Sequence, residues 1–363
     1  MNSSTYYKAR LARFYGTPDA LGLPAVERAR RILSHLKPVT VSSVDEIPPQ
    51  HRNLRTLFVT SFRGAPLAPC PGTRVHRCCN YYTVDLYAGC PLGCTYCIMQ
   101  SYLESSPVTV YADPSPAIAA IRAQALADPL IPLRVGTGET GDSLLFDPLF
   151  DLTRRYISEL ADLPNVYFEA KTKTAYVDHL LDVPQKGNAV IGFSVNVQQA
   201  ATEEGASAPL RERIAAASRA AEAGFLVAFH FDPLFRMAEA DYRAVAAQLA
   251  AAVPARQVAW VSLGSMRYTP GLRAHIDRPY IHDEFVGCAD GKYRYIQRER
   301  VALYRAVVDA LVEHFESRPP IYLCMESEAV WERVFGALPD EMPELEALFA
   351  GAPPRKEGQR CGR

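Results

Sequence analysis

The segment Cys90-Pro-Leu-Gly-Cys94-Thr-Tyr-Cys97 is the most informative part of this chain. Its three cysteines, spaced CxxxCxxC, follow directly after an apolar stretch that predicts a strand. Three thiolates on one short loop suit a [4Fe–4S] cluster that keeps one iron open, whereas ferredoxins close the cluster with a fourth cysteine. A zinc site is the alternative, but structural zinc usually has four Cys or His ligands and no matching fourth ligand lies nearby. The loop therefore predicts a cluster with one exchangeable iron.

The cysteine content and the charge restrict the class of protein. The chain has nine cysteines in 363 residues, and six of them lie between Cys70 and Cys97. An odd, clustered set without a secretory signal indicates metal or redox chemistry in a reducing cytoplasm rather than a disulfide scaffold. The net charge of -1 excludes a uniformly basic nucleic-acid-binding surface, but not a local basic patch. No apolar run reaches the roughly 18 residues of a membrane span, so no membrane association is expected.

Strand and helix patterns alternate between residues 81 and 265. This alternation predicts an α/β fold with a parallel sheet or a partial barrel, in which ligands bind at the carboxyl ends of the strands. The predicted strands are 82–86, 133–135, 166–170, 190–195, 226–231 and 258–263, and the predicted helices are 116–127, 148–161, 175–182, 209–223 and 239–252.

Three further regions flank this predicted barrel. Residues 1–80 are expected to form a helical, basic N-terminal extension, and residues 266–350 a β-hairpin followed by a long helix. The pair Asp290-Gly291 predicts a type I′ turn in the hairpin. The Gly-, Pro- and Arg-rich tail, 351–363, is expected to be disordered.

The cysteine motif, with the aromatic Tyr96 just before its last cysteine, resembles the signature of the radical S-adenosylmethionine (radical SAM) enzymes. More widely, residues 56–337 resemble the spore photoproduct lyase family. The segments that carry this resemblance are 89–103, 171–181, 229–233, 262–267, 290–295, 322–326, Val330-Trp331 and Phe335-Gly336. The resemblance implies a partial (β/α)6 barrel. It also implies that the free iron binds S-adenosylmethionine, whose reductive cleavage gives a 5′-deoxyadenosyl radical that abstracts hydrogen from a substrate.

The resemblance also implies which residues contact the cofactor. These candidates are Gly138, Glu139 and Asp142 after the second predicted strand, Lys173 after the third, Ser194 and Asn196 at the end of the fourth, and His230 in the fifth. A carboxylate at Glu139 suits the methionine ammonium, and a lysine suits its carboxylate. Each residue also has an ordinary structural alternative: a turn or capping residue, a solvated lysine or a core histidine. Tyr96 is expected to shield the cluster and the adenine.

Two positions depart from the lyase pattern. Glu139 stands where the lyase has its hydrogen-donor cysteine, and Ile98 stands where the lyase has a second relay tyrosine. A carboxylic O–H bond is far stronger than a thiol S–H bond, so Glu139 cannot replace the donor. Other thiols are therefore candidate catalytic residues, namely Cys78, Cys79 and Cys324. The alternatives are an auxiliary metal site with Cys70, or plain buried cysteines.

The predicted hairpin carries the features expected of a DNA-docking element. Lys292, Arg294 and Arg298 could neutralise phosphates, with Arg300 and Arg305 nearby, and aromatic rings alternate with these charges. The alternative is a solvated hairpin followed by an ordinary amphipathic helix.

The sequence therefore predicts a cytoplasmic radical SAM enzyme that acts on a small organic molecule rather than on a DNA lesion. Two alternatives stay open: a DNA repair lyase for a pyrimidine photoproduct, and a non-catalytic iron–sulfur redox sensor. Turnover requires an external electron donor such as flavodoxin or ferredoxin.

Overall fold

The computed structural model describes residues 3–72, 76, 77, 79–102, 106–276 and 283–350. The predicted tail, 351–363, lies outside these residues. The described strands form three sheets, which we call the N-terminal sheet, the barrel sheet and the hairpin sheet. None of the described helices is both long and apolar enough to cross a membrane.

The strands are β1 (Arg13–Gly16), β2 (Val39–Thr40), β3 (Thr56–Thr60), β4 (Ala68–Pro69), β5 (Tyr81–Thr83), β6 (Tyr87–Ala88), β7 (Val108–Tyr111), β8 (Leu133–Thr137), β9 (Val166–Thr172), β10 (Val190–Ser194), β11 (Leu226–Leu234), β12 (Val258–Ser265), β13 (Arg267–Tyr268), β14 (Phe285–Gly287), β15 (Tyr293–Tyr295) and β16 (Ile321–Leu323). The helices are α1 (Ser3–Arg10), α2 (Pro18–Leu21), α3 (Pro24–Ile32), α4 (Ser115–Ala127), α5 (Asp147–Phe150), α6 (Leu152–Leu160), α7 (Leu210–Glu222), α8 (Glu239–Ala252), α9 (Gln297–His314), α10 (Glu328–Phe335) and α11 (Glu346–Phe349).

The barrel sheet has the order β16-β12-β11-β10-β9-β8-β5-β4. All its neighbouring strands run parallel except the edge pair β4 and β5. From β8 to β12, strands that are consecutive in the chain are neighbours in the sheet, and the sheet curls into a half-barrel. The fold class and the six predicted barrel strands are therefore confirmed, and the short β16 adds a seventh parallel strand.

Two predicted helices differ from the structure. The helix expected over 148–161 is divided by Asp151, which has a φ of 56° and separates α5 from α6. The segment 175–182 forms turns instead of a helix. His179 explains this difference, because its Nε2 lies 2.7 Å from Asp147 Oδ2 and its carbonyl accepts a hydrogen bond from Arg154. The segment is held by contacts distant in sequence, which override its helical pattern.

The N-terminal region 1–80, expected to be a helical and basic extension, contains the helices α1, α2 and α3 but also strands. This region contributes three parallel strands to the N-terminal sheet, whose order is β2-β1-β3-β7-β6. The other two strands, β6 and β7, come from beyond residue 80. The sheet was missed because β1 and β2 have only four and two residues. The predicted boundary at residue 80 therefore cuts through a continuous sheet.

The hairpin sheet consists of β13, β15 and β14, with β15 antiparallel to both neighbours. The predicted hairpin is therefore present, but its turn is not type I′. Of the pair Asp290-Gly291, only Gly291 has a positive φ, of 76°, whereas a type I′ turn needs two such residues. Cys288 N donates to Lys292 O over 2.8 Å, which closes a three-residue loop with glycine in the left-handed position.

Candidate active site

The cysteine loop starts at the end of β6 and is held by backbone contacts on two sides. Gly89 N donates to Thr140 O over 3.0 Å, which ties the start of the loop to the segment after β8. The segment after β10 holds the other side, because Ala206 N donates to Leu92 O over 2.7 Å and Thr95 N donates to Glu203 O over 2.9 Å. The positions of the three thiols therefore depend on backbone contacts with segments that are distant in sequence.

Gly205 allows the closest of these approaches. It has a φ of 51°, and a Cβ at this position would lie 2.1 Å from Leu92 O and 2.9 Å from Gly93 O. No side chain fits in this space, so glycine is required for the segment after β10 to contact the loop.

The three thiols fit a cluster. Cys90, Cys94 and Cys97 are free cysteines within electrostatic reach of one another. Burial raises the pKa of Cys94 to about 11, although nearby Lys173 opposes this change. Burial likewise raises the pKa of Cys90 well above its ordinary value. The thiolate forms therefore need compensating positive charge, which bound iron would supply.

Charged residues surround Tyr96 beside this loop. The Tyr96 hydroxyl donates to Glu204 Oε1 over 2.7 Å, and Glu204 also pairs with Arg213. Burial alone would raise the pKa of Glu204, but Lys173 and Arg213 hold it below its usual value. The Lys173 ammonium donates to Ser194 Oγ over 2.5 Å and lies 5.9 Å from the Tyr96 ring centroid. The structure therefore brings three predicted residues, Tyr96, Lys173 and Ser194, together near the cysteine loop.

Glu139 forms an ion pair beside the carboxyl end of β8. Its Oε1 lies 3.2 Å from Lys171 Nζ. Burial alone would lower the pKa of Lys171, but the Glu139 and Glu169 carboxylates raise it above its usual value. The adjacent Gly138 has a φ of 94° and turns the chain away from the strand. The ammonium partner of Glu139 in this structure is thus a lysine of the chain itself.

Asp142 and Asn196 are buried and hydrogen-bonded to nearby backbone groups. Asp142 Oδ1 accepts from Leu144 N, Leu145 N and Thr172 Oγ1 at 2.8–3.0 Å, and its Oδ2 accepts from Lys173 N over 2.7 Å. Asn196 Nδ2 donates to Pro233 O over 2.8 Å, and its Oδ1 accepts from Val197 N. In this structure both side chains hold the backbone in place at the carboxyl ends of the strands. Their predicted contact with the cofactor stays a prediction.

His230 belongs to a buried charged group below the strand ends. Its Nε2 lies 2.5 Å from Glu169 Oε1, and the Tyr81 hydroxyl donates to Glu169 Oε2 over 2.5 Å. Burial alone would raise the pKa of Glu169, but His230, Lys171 and the Tyr81 hydrogen bond lower it to about 2. Gly192 leaves room for this pair, since a Cβ there would lie 2.2 Å from Glu169 Oε1. His230 is therefore occupied by a partner on β9.

Three cysteines outside the motif lie near the Glu139–Lys171 pair. Cys70, Cys79 and Cys324 are within electrostatic reach of one another, and Lys171 interacts with both Cys70 and Cys324. Burial and the Asp232 carboxylate raise the pKa of Cys324 to about 12, and burial raises that of Cys70 further. Cys70 and Cys324 therefore keep their S–H protons at neutral pH. The candidate Cys78 lies outside the described residues.

Comparisons with known proteins agree with this arrangement. The family model described as spore photoproduct lyase matches residues 75–300, which is more than half of the chain. The chain belongs to the spore photoproduct lyase family. This is a radical SAM family that uses a [4Fe–4S] cluster and S-adenosylmethionine, so the predicted family and cofactors are confirmed.

The spore photoproduct lyase of a Geobacillus species is 30% identical over 159 residues, which cover 43% of this chain and 46% of that protein. The Bacillus subtilis enzyme is 28% identical over 209 residues, covering 55% of this chain and 60% of that protein. The chain thus matches less than two thirds of the length of either curated relative.

Solved spore photoproduct lyases share the fold. A structure complexed with dinucleoside spore photoproduct has a TM-score of 0.72 at 21% identity, covering 86% of this chain and 98% of that chain. A variant with bound AdoMet and the same dinucleoside gives the same values.

Two cations of the predicted DNA-docking element, Arg294 and Arg300, are buried. Arg294 makes two hydrogen bonds of 2.6 and 2.7 Å to Asp290, and both side chains are 1% exposed. Arg300 pairs with Glu326 at 2.9 Å and is also buried. Arg298 is widely exposed, at 84%, Arg305 is also exposed, and Lys292 is half-buried. Arg294 and Arg300 are therefore not available to phosphates at the surface, which corrects that part of the docking prediction.

Several residues near the site were missed by sequence reasoning, and they are mostly the partners of predicted ones. Glu204 and Arg213 pair beside Tyr96, Lys171 pairs with Glu139, and Glu169 pairs with His230. Glu169 lies on the strand predicted over 166–170, whereas Lys171 lies one residue beyond that prediction and belongs to β9 only in the structure. Glu204 could have been noticed from the sequence, because it is a charged residue that stands beside a glycine in the segment after the strand predicted over 190–195.

Proposed function

We propose that this chain is a radical SAM enzyme acting on a small organic molecule. The main support for this proposal is the ion pair between Glu139 and Lys171. Glu139 stands at the position where the lyase pattern has its hydrogen-donor cysteine. An ionised carboxylate has no O–H hydrogen to give, so the lyase reaction cannot be completed at this position.

The proposed roles follow from the contacts of this chain. Cys90, Cys94 and Cys97 would hold the cluster and leave one iron for the cofactor. When bound, the cluster and S-adenosylmethionine supply the carbon radical that takes a hydrogen atom from the substrate. Lys173, fixed by Ser194 at 2.5 Å, offers an ammonium to the methionine carboxylate. Tyr96 covers one side of the loop, and its hydroxyl is held by Glu204.

Hydrogen return to the product requires another donor, for which Cys324 is our candidate. Its raised pKa keeps the S–H bond intact at neutral pH, and it lies within electrostatic reach of Lys171, the partner of Glu139. The thiol would pass one hydrogen atom to a carbon radical and become a thiyl radical. One electron from an external donor of the flavodoxin or ferredoxin class, with one proton, would restore it.

The basic test is cofactor cleavage. Anaerobically reconstituted protein with dithionite and S-adenosylmethionine should release 5′-deoxyadenosine. The variant Cys94→Ala should lose both iron and cleavage, whereas Cys288→Ala, in the hairpin loop, should keep both. An intact cluster without any cleavage would leave the iron–sulfur sensor as the better interpretation.

Repair of a DNA photoproduct is the second candidate function. It is favoured by membership of the family and by the thiols near Glu139, which offer replacement donors. Incubation with dinucleoside spore photoproduct should then give two thymidines, and Cys324→Ala should reduce this yield. Cofactor cleavage without any change in the dinucleoside supports a small-molecule substrate instead.

A further inference from the structure

One face of the hairpin sheet carries three cations. Arg267 on β13 lies directly opposite Arg294 on β15, and Lys292 precedes Arg294 by two residues. Lys292 directly precedes β15 and is still paired with the other arm of the hairpin, because Cys288 N donates to Lys292 O over 2.8 Å. Side chains two residues apart in extended chain share a face, which places Lys292 on the same side as Arg267 and Arg294. Tyr268 and Tyr293 occupy the other face, where their rings stack at 5.5 Å.

Two of these three cations have carboxylate partners. Arg267 makes two hydrogen bonds, of 2.9 and 3.0 Å, to Asp232, and Arg294 is paired in the same way with Asp290. Like charges opposite each other destabilise a sheet, and these two pairs compensate that repulsion. Among the residues that the structure describes, the Lys292 ammonium makes no hydrogen bond or ion pair.

Lys292 lies among charged residues of the hairpin sheet and near Cys324. Its side chain is partly buried, and it lies within electrostatic reach of Arg267, Asp290, Arg294 and Cys324. Burial and Arg267 lower the pKa of Lys292, although the Asp290 carboxylate, which is already bonded to Arg294, opposes this change. Asp232, the partner of Arg267, lies near the carboxyl end of β11, and Cys324 follows β16 directly. Through the bonds between Arg267 and Asp232, this side of the hairpin sheet lies next to the edge of the barrel sheet where ligands bind in such folds.

We propose that Lys292 binds an anionic group, a phosphate or a carboxylate, of the small-molecule substrate. This inference rests on the proposed function and names the substrate class for the same site. Arg267 and Arg294 add positive potential on the same face while they keep their carboxylate partners.

The proposal is tested by titrating the full-length protein with inorganic phosphate and, separately, with acetate at constant ionic strength, following thermal unfolding. At least one anion should stabilise the wild type. Lys292→Met and the milder Lys292→Gln should weaken its apparent affinity about tenfold or more. The matched control is Lys186→Met. The part-buried Lys186 ammonium donates to its local carbonyl Val183 O and lies 5.0 Å from the Phe225 ring centroid, and this variant should bind like the wild type.

Three outcomes would overturn the inference. One is no stabilisation by either anion, and another is equal affinity in the wild type and both Lys292 variants. The third is a short single-stranded oligonucleotide that binds more tightly than phosphate and needs Arg298, which would indicate nucleic acid as the ligand. Cleavage of S-adenosylmethionine by the wild type separates this inference from the proposed function. Cleavage without anion binding rejects only this inference, and anion binding without cleavage rejects only the proposed function.

Discussion

Replacement of Gly205 by alanine should release the cluster from an otherwise folded protein. The new Cβ would lie 2.1 Å from Leu92 O, whereas real Cβ atoms essentially never come within 3.0 Å of another heavy atom. The loop must therefore move by roughly 1 Å, and ligand distances in metal sites tolerate only about 0.2 Å. The positive φ adds about 1–2 kcal/mol of backbone strain. We expect less than half of the iron of the wild type, which should hold about four irons per chain.

Gly224→Ala is the matched control for this substitution. Gly224 also has a positive φ, of 92°, but its Cβ would meet only Lys186 Cδ at 4.0 Å. This variant should show a similar loss of stability and full iron content. Iron and sulfide analysis after reconstitution, together with the electron paramagnetic resonance spectrum of the reduced protein, gives the comparison. Equal iron and identical spectra in the two variants would refute the argument that close packing of this segment positions the cysteines.

Two further substitutions test buried charges near the strand ends. His230→Gln removes the largest of the contacts that lower the Glu169 pKa from 4.5 to about 2. The whole shift corresponds to about 3 kcal/mol, so this variant should lose up to about 3 kcal/mol, or up to about 4 °C in Tm for a chain of this length. The double variant with Glu169→Gln should recover most of this loss in calorimetry, and no recovery would show that the carboxylate charge is not the cause. Because the pKa of Glu169 is lowered, its contribution is complete above pH 4.5 and is lost as the pH falls towards 2. Asp142→Asn changes a carboxylate that accepts four hydrogen bonds. The free energy of unfolding, measured in urea, should fall by about 2–4 kcal/mol. Unchanged stability with weaker binding of S-adenosylmethionine would instead favour the predicted contact between Asp142 and the cofactor.

The parts of the structure that depend on local sequence were predictable. The cysteine loop is defined by its own spacing, and the barrel strands by short apolar runs between helical patterns. The segment 175–182 shows the limit of this reasoning, since its helical pattern is overridden by a hydrogen bond from His179 to a residue 32 positions away.

The electrostatic partners could not be predicted for the same reason. Arg300 is a surface candidate by sequence, but it is buried against Glu326, which lies 26 residues further along the chain. His230 and Glu169 are separated by 61 residues. A basic residue in a sequence carries no information about such a partner, so the burial of Arg294 and Arg300 could not be predicted.

The N-terminal sheet limits how this protein can be divided. Strand β6, which leads directly into the cysteine loop, pairs with β7, and β7 pairs with β3 from the N-terminal region. A fragment that begins at residue 81 would contain every cysteine of the motif and every parallel strand of the barrel. It would still lack the strand that aligns β7 and, through it, the entry to the loop. The first 60 residues therefore support the entry to the cysteine loop, and we expect the barrel expressed without them to hold the cluster poorly.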